Sequence, residues 1–587
     1  MLTASFLRIF LSRKHIDRSL GAKGISKSMK TLLYCIAGIT MTLTACTTSP
    51  NDEKEFRDFL AAHQQLVESK FKALTIADWN ASATGDKKYY DERARVEVEV
   101  HTIYANKEEF QKLKKWKESG MIHDPLLQRQ LTVLFNGYLG SQIDSTLMRK
   151  MVEKGAEISR AFNTHRGQID GKEVNDNDIS KILKDEKDPT VRKKAWEASK
   201  QVGKAVAPMV LELVRLRNEA AHRLGFANYY EMALTLGEQD QKEILAIFDE
   251  LKNQTDAPFR KMKKEIDGAL AARYGIKIDG LYPWHYEDPF FQEAPQIGSN
   301  ELNDCFRGRK IEQLADAFYK GIGLPVDDLL QKSDLYPRES KYQHAFCTDI
   351  DRAGDVRIMT NIVDDGYWMT TVLHELGHAA YSKNVDRSLP YFLRCEAHTF
   401  TTEAIAIMME RQAKNADWLE AFAGITKDQK EKVRAAAYAN LRLQQLIFSR
   451  WSQVMMRFER SMYANPDQDL NTLWWDLVEE YQLVRRPEKR NEPDWAAKIH
   501  IAQYPVYYHN YMLGSMMASQ VAHAIMREAL NQPEGKEVCF AGKPEVGNFL
   551  KEKIFIPGAR YRWDEMIRRA TGENLTAKYF AKDFVVD

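Results

Sequence analysis

The stretch Thr370-Thr-Val-Leu-His374-Glu375-Leu-Gly-His378-Ala-Ala-Tyr381 places two histidines four positions apart, with a glutamate directly after the first. The pattern is helical, and on a helix this spacing brings both imidazoles to one face, one turn apart. Two imidazoles in that arrangement can share a tetrahedral Zn²⁺ ion. Glu375 lies about 100° further round the helix, where it can reach a water at the metal without binding the metal itself. The stretch therefore predicts a helix that carries a catalytic zinc site.

A catalytic zinc ion needs a third protein ligand and one open position. Three acidic candidates follow the second histidine: Asp386, Glu396 and Glu403. Glu403 stands in an apolar helical pattern over residues 401–410, where a carboxylate without a partner is costly to bury. Glu396 lies in a less regular stretch and suits a supporting role better. The residues alone favour Glu403 and leave the other two open.

Helical patterns extend outward from this stretch through most of the chain. Between Met209 and Gly225, apolar positions recur on one face together with Arg217, and Gly225 suits a helix end. Gly (30) and Pro (18) are scarce among the 587 residues, which also favours helix. Because no Gly-, Pro- or Ser-rich linker divides residues 55–587, we predict one large, mainly α unit with two lobes.

One segment departs from the helical pattern. Two short runs, residues 344–350 and 355–360, flank a turn that contains Gly354. This arrangement predicts a β-hairpin, and it comes directly before the zinc helix.

Charge and cysteine spacing exclude two classes of protein. The net charge is +1, with 84 basic and 83 acidic residues, so a strongly basic nucleic-acid-binding surface is not expected. No C-x-x-C spacing occurs, which excludes a thioredoxin-like motif and a cysteine-type zinc site.

The first residues look like a targeting segment. Lys30 is followed by a mostly apolar stretch, residues 31–43, and then by small residues before Cys46. This pattern resembles the bacterial lipobox, which implies a signal peptide within residues 1–45, with Met29 as the candidate start, and lipidation of Cys46. Residues 46–54 would form a polar tether to the catalytic domain at 55–587. We expect a lipid-anchored protein of the bacterial envelope, on the periplasmic or extracellular face, and at the outer membrane if the host has two membranes.

The motif His374-Glu-Leu-Gly-His378, followed by Thr402-Glu-Ala-Ile-Ala406, resembles the zinc peptidases of the angiotensin-converting-enzyme (peptidyl-dipeptidase A) family, whose relatives include thimet-type oligopeptidases. The resemblance implies a mainly α, two-lobed gluzincin fold around a deep central cleft, with a small β-hairpin beside the zinc helix. It implies one Zn²⁺ per chain, bound by His374, His378 and Glu403, with Glu375 as the catalytic base.

Two further matches concern substrate binding. His344-Ala345 lies 30 residues before His374, as a substrate-binding His-Ala does in the family. Lys498-Ile-His500 matches the family's Lys-x-His. The resemblance implies that Lys498 binds the C-terminal carboxylate of a peptide and that His500 binds a peptide carbonyl.

The family also uses two tyrosines three positions apart, one for the substrate carboxylate and one for the oxyanion. Tyr508 and Tyr511 fit these roles if one residue is inserted after His500. A count without a gap gives Tyr507 and Asn510 instead.

Several positions depart from the family pattern. Ile407 replaces an aspartate that supports a zinc-bound histidine, so another partner must orient the imidazole. Val478 and His509 stand where chloride-linked arginines are expected, which makes chloride dependence doubtful. The glutamine that helps to hold the carboxylate has no clear equivalent, and His285 is the candidate.

Together these features predict a zinc peptidase that hydrolyses short peptides and releases C-terminal dipeptides. Three alternatives remain open: a thimet-like endo-oligopeptidase, a zinc hydrolase acting on a non-peptide amide, and a non-catalytic lipoprotein that only binds peptides. The intact Glu375 argues against a binder without activity.

Overall fold

The computed structural model describes residues 50–296, 303–536 and 538–585. The predicted signal peptide and Cys46 lie outside these residues. The first helix begins at Pro50, inside the predicted tether, and the first buried apolar side chain is Phe56. No helix in the described ranges is both long and apolar enough to cross a bilayer.

The fold is mainly α, as the sequence predicts. The helices of the first half are α1 (Pro50–Thr84), α2 (Lys87–Tyr104), α3 (Lys107–Ser119), α4 (Pro125–Gly140), α5 (Ser145–Thr164), α6 (Asp176–Asp185), α7 (Pro189–Arg223), α8 (Tyr229–Leu236) and α9 (Gln241–Tyr274). The helices of the second half are α10 (Ile311–Gly321), α11 (Asp327–Lys332), α12 (Gly366–Asn384), α13 (Thr399–Glu410), α14 (Ala416–Trp418), α15 (Lys427–Ala464), α16 (Leu470–Leu477), α17 (Ile499–Gln503), α18 (His509–Ala524), α19 (Pro544–Leu550), α20 (Trp563–Thr571) and α21 (Lys578–Phe584).

The described residues contain two small antiparallel sheets. One pairs β1 (Gly167–Ile169) with β2 (Lys172–Val174), and the other pairs β3 (Phe346–Asp349) with β4 (Val356–Met359). The second sheet confirms the predicted hairpin before the zinc helix.

The β3–β4 hairpin has two different edges. Beyond β4, the backbone of Asp334 bridges to Met359 and accepts a hydrogen bond from the N–H of Thr360. β3 forms the opposite edge, and its residues pack on α12. The hairpin therefore lies against the zinc helix with β3 as its outer strand.

Apolar side chains form two main cores. The larger core draws on helices from α5 to α21 and encloses α12 and α13. A smaller core is formed by α1 to α4 together with Tyr391 and Phe392. The first four helices thus have a core of their own, which includes two aromatic residues from the segment between α12 and α13, while α4 also packs against the larger core.

Candidate active site

Three side chains converge between α12 and α13. Nε2 of His374 and Nε2 of His378 are 3.2 Å apart, and Oε1 of Glu403 lies 3.6 Å from the first nitrogen while Oε2 of Glu403 lies 3.6 Å from the second. All three ligand atoms lie within 4.8 Å of one another. These are the three residues that the sequence favours as metal ligands.

The geometry fits a tetrahedral zinc ion. Ligand atoms about 2 Å from such an ion would be about 3.3 Å from each other, close to the three observed separations. Asp386 instead accepts hydrogen bonds from the N–H and hydroxyl of Ser388, and Glu396 is not a member of the cluster. Among the described residues, Glu403 is therefore the one of the three acidic candidates that lies where it could serve as a third metal ligand.

Two glycines allow the helices that carry the ligands to approach closely. A Cβ on Gly377 would lie 2.8 Å from Cα of Ala406, which is one turn after Glu403. A Cβ on Gly514 would lie 3.2 Å from Cγ of Glu403 itself. Because neither position can hold a larger residue without movement, these contacts fix α13 between α12 and α18.

Each histidine is oriented by a partner that the sequence analysis missed. Nδ1 of His374 lies 2.8 Å from Oε2 of Glu410, and Nδ1 of His378 lies 2.8 Å from the hydroxyl of Thr402. These bonds leave both Nε2 atoms directed at the metal position. Glu410 comes two helical turns after Glu403 on the same face, so its spacing is the signal that was overlooked. Glu410, one turn after Ile407, thus takes the supporting role that an aspartate at position 407 has in the family.

The electrostatics of the cluster favour a bound cation. Burial alone would lower the pKa of His374, but the carboxylates of Glu403 and Glu410 raise it to about 10. Burial, together with the charge of His374, holds the pKa of His378 well below its ordinary value. The two carboxylates thus create a buried position for positive charge, and a divalent ion satisfies it.

Glu375 is buried beside the cluster, between α12 and the hairpin. Burial raises its pKa to about 7, which is suited to a group that takes up and releases a proton. β3 packs on α12, the helix that carries Glu375, and burial and then the charge of Glu375 raise the pKa of the Cys347 thiol in that strand. A peptide paired with β3 would therefore pass near Glu375.

The predicted substrate-binding pair lies at the start of the hairpin. His344 is exposed and Ala345 is half-buried, and both come directly before β3. Asn361 donates hydrogen bonds to the carbonyls of Tyr342 and Gln343, which fixes the chain that leads into the strand.

A second group of polar side chains surrounds Lys498. Its ammonium is buried and donates to Oε1 of Gln292 at 2.5 Å, and the hydroxyl of Tyr508 lies 3.5 Å from the same oxygen. Burial lowers the pKa of Lys498 to about 8, although the charges of Asp288 and Glu293 act in the opposite direction. Sequence analysis missed Gln292, because no motif surrounds it.

His285, the candidate for the glutamine that helps to hold the substrate carboxylate, does not lie beside Lys498 in the structure. Nδ1 of His285 accepts a hydrogen bond from the N–H of Tyr282, and its ring packs against Tyr274. Gln292, rather than His285, is the residue beside Lys498.

The aromatic cluster that follows Lys498 contains His500, Tyr508 and Tyr511. The ring of His500 lies 5.0 Å from that of Tyr508 and 6.4 Å from that of Tyr511. Tyr511 precedes Gly514 by one turn and so lies on the face of α18 that meets Glu403.

The alternative pair is placed differently. Asn510 is buried and accepts a hydrogen bond from Gln239 at 2.8 Å. Tyr507 packs against Tyr511, with ring centres 5.3 Å apart. The geometry therefore favours Tyr508 and Tyr511 over the pair given by a count without a gap.

Comparison with known proteins matches nearly the whole described chain. A family model described as angiotensin-converting enzyme matches residues 50–285 and 291–584. An angiotensin-converting enzyme of Theromyzon tessulatum is 22% identical over 584 residues, which cover 92% of each protein.

Other relatives differ in their described activity. Carboxypeptidase 1 of Bacillus subtilis is 24% identical over 308 residues, covering 47% of this chain and 57% of that enzyme. A Caenorhabditis elegans protein described as an inactive angiotensin-converting enzyme-related protein is 21% identical over 586 residues, covering 89% of this chain and 62% of that protein. Because the family model spans both halves of the fold and the three candidate metal ligands, the chain belongs to the angiotensin-converting-enzyme family of zinc metallopeptidases.

Proposed function

We propose that this protein is an active peptidyl-dipeptidase, which hydrolyses short peptides near a free C-terminus. The observation that carries the proposal is the group formed by Gln292, Lys498 and Tyr508. The buried ammonium of Lys498 donates to a neutral amide oxygen, so an incoming carboxylate would give it a stronger, charge-assisted partner.

The chemistry follows from the residues around the metal ligands. Zinc, when bound by His374, His378 and Glu403, supplies Lewis acidity that polarises a carbonyl and lowers the pKa of water. Glu375 accepts a proton from the attacking water and delivers it to the leaving amine. Tyr511 donates a hydrogen bond to the oxygen that gains negative charge.

The remaining groups would hold the peptide. The edge strand β3, with His344 and Ala345 before it, would pair with an extended backbone. His500 would bind a peptide carbonyl, while Lys498, Tyr508 and Gln292 would hold the terminal carboxylate. This arrangement fixes the distance from the C-terminus to the cleaved bond.

Chloride has no evident role in this mechanism. His509 is buried and hydrogen-bonded to Gln239 at 2.8 Å, and burial lowers its pKa to about 3. Val478 lies among buried aromatic residues. Two uncharged side chains thus occupy the positions at which the family resemblance leads one to expect chloride-binding arginines.

The location of the protein is a separate proposal, based on the first 46 residues alone. A signal peptide followed by lipidation of Cys46 would place the peptidase on a bacterial membrane, facing the periplasm or the exterior.

The proposed activity is tested with pairs of peptides that differ only in C-terminal amidation. The zinc-loaded enzyme is incubated with each pair, and mass spectrometry locates every cut. Dipeptides released only from free C-termini would support the proposal. Internal cuts that are indifferent to amidation would indicate a thimet-like oligopeptidase, and single residues released from the end would indicate a carboxypeptidase.

A further inference from the structure

A buried arginine and a buried glutamate hold the turn that separates the two halves of the proposed substrate site. The turn runs from Ala502 to Val506, with Lys498 and His500 before it and Tyr508 and Tyr511 after it. Arg217 reaches it from α7, and Glu459 reaches it from α15. Both residues are buried, and burying a polar side chain is costly unless hydrogen bonds compensate for the lost water.

Arg217 binds the start of the turn. One terminal nitrogen of its guanidinium donates to the carbonyl of Ala502 at 3.3 Å, and the other donates to the hydroxyl of Tyr463 at 2.9 Å. Ala502 lies in α17, the helix that carries His500. Arg217 therefore links the long helix α7 to the short helix beside the reactive groups.

Glu459 binds the end of the turn. Its Oε1 accepts a hydrogen bond from the N–H of Val506 at 2.7 Å. Val506 has a φ of 54°, in the left-handed region that a β-branched residue rarely adopts. The preceding Pro505 has no N–H, so the N–H of Val506 is the donor available at this point. The Glu459 carboxylate, held in place by α15, therefore stabilises a left-handed backbone conformation that is unfavourable for valine.

α15 also contacts the first tyrosine after the turn. The indole nitrogen of Trp451 donates to the hydroxyl of Tyr508 at 2.7 Å. The same helix thus sets the backbone at Val506 and the side chain at Tyr508. Since α18 begins at His509, the direction in which Tyr511 leaves the turn depends on these contacts.

We propose that Glu459 and Arg217 are positioning residues, which hold the 502–506 turn so that His500 and Tyr511 keep the relative placement that their proposed roles in substrate binding and catalysis require. The inference rests on the proposed peptidase function for its kinetic consequence. Its structural part, that Glu459 fixes the turn, stands independently of that function.

Three variants test the role of Glu459. Glu459→Gln keeps an oxygen that can accept the Val506 N–H, whereas Glu459→Met has a similar size and no such acceptor. In Glu459→Met, kcat should fall by roughly 10- to 100-fold, because small displacements of reacting groups have effects of that size. KM should change much less, since Lys498 and Gln292 remain in place. Glu459→Gln should retain most of the wild-type kcat.

The third variant adds Val506→Gly to Glu459→Met. Glycine adopts positive φ without strain, so the turn should depend less on Glu459, and the double variant should recover part of the lost kcat. Zinc content is measured in each protein as a control. Equal losses in Glu459→Gln and Glu459→Met would overturn the inference, because the acceptor oxygen would then not be the cause.

Hydrogen exchange monitored by mass spectrometry provides a readout that does not need activity. The segment 504–511 should exchange faster in Glu459→Met and at the wild-type rate in Glu459→Gln. Unchanged exchange in Glu459→Met would overturn the inference. A wild-type enzyme without peptidase activity would instead contradict the proposed function, and the exchange rates would still decide whether Glu459 holds the turn.

Discussion

At the scale of single residues, the site depends on how a few side chains are held. The HExxH spacing identifies His374, Glu375 and His378 from sequence, because a helix places positions four apart on one face. The same logic does not reveal Glu410 or Gln292. Glu410 shares a helix face with the third candidate ligand, but this spacing does not say which histidine it meets, and Gln292 lies in an irregular segment, so tertiary packing is needed to show their partners.

Glu410 should strengthen zinc binding through His374. In Glu410→Gln the partner of Nδ1 loses its charge, and we expect zinc affinity to fall about 10- to 100-fold. A titration against a competing chelator measures this. Glu545→Gln, which neutralises an exposed carboxylate on α19, is the matched control. Equal affinities in the two variants would contradict the role assigned to Glu410.

Lys498 should make substrate binding depend on pH. Burial lowers its pKa to about 8, so the ammonium that would bind a carboxylate is fully present below that value and lost above it. For peptides with a free C-terminus, KM should rise about tenfold for each pH unit above the pKa. KM measured from pH 7 to 10 tests this. Lys498→Met should have a raised KM with no such rise, and a parallel rise in that variant would assign the effect to another group.

At the scale of elements, the centre is set by how α12 and α13 meet. The sequence predicted both helices and the hairpin, since each has a clear local period. It did not show that Gly377 is the contact point between the helices. That role depends on the 2.8 Å approach to Ala406, which no local pattern encodes.

Gly377→Ala should separate the two helices and displace Glu403 from the histidines. The added Cβ meets backbone rather than a flexible side chain, so we expect a loss of about 1–3 kcal/mol in the free energy of unfolding, together with weaker zinc binding. Denaturant unfolding and zinc titration measure the two effects. Gly155→Ala in α5, where a Cβ meets nothing within 4 Å, is the control and should be neutral or slightly stabilising. Similar behaviour of the two variants would show that the contact at Gly377 is not restrictive.

At the scale of the whole molecule, the mainly α architecture was predictable from composition and helical periodicity. The separate core of the first four helices was not, because the residues that form it look like those of any amphipathic helix. Membership of the family accounts for the overall arrangement of helices, while some positions in this chain carry side chains that differ from those expected in the family.

One such alteration concerns chloride. Because His509 and Val478 stand where chloride-binding arginines are expected, peptidase activity should not change when chloride replaces acetate at constant ionic strength. The rate of dipeptide release in the two salts tests this. An increase with chloride would show that the anion binds at positions other than these two.

If this protein is a zinc peptidase in which Glu375 moves the proton, removing that carboxylate should abolish hydrolysis without removing the metal. The most direct test compares kcat/KM of the wild type and Glu375→Gln, both loaded with zinc and both with their metal content measured, on one peptide with a free C-terminus. We expect one zinc ion per chain in each protein and a fall in kcat/KM of about 10²- to 10⁴-fold in the variant. A variant that keeps its zinc and cleaves the peptide at the wild-type rate would contradict this role of Glu375.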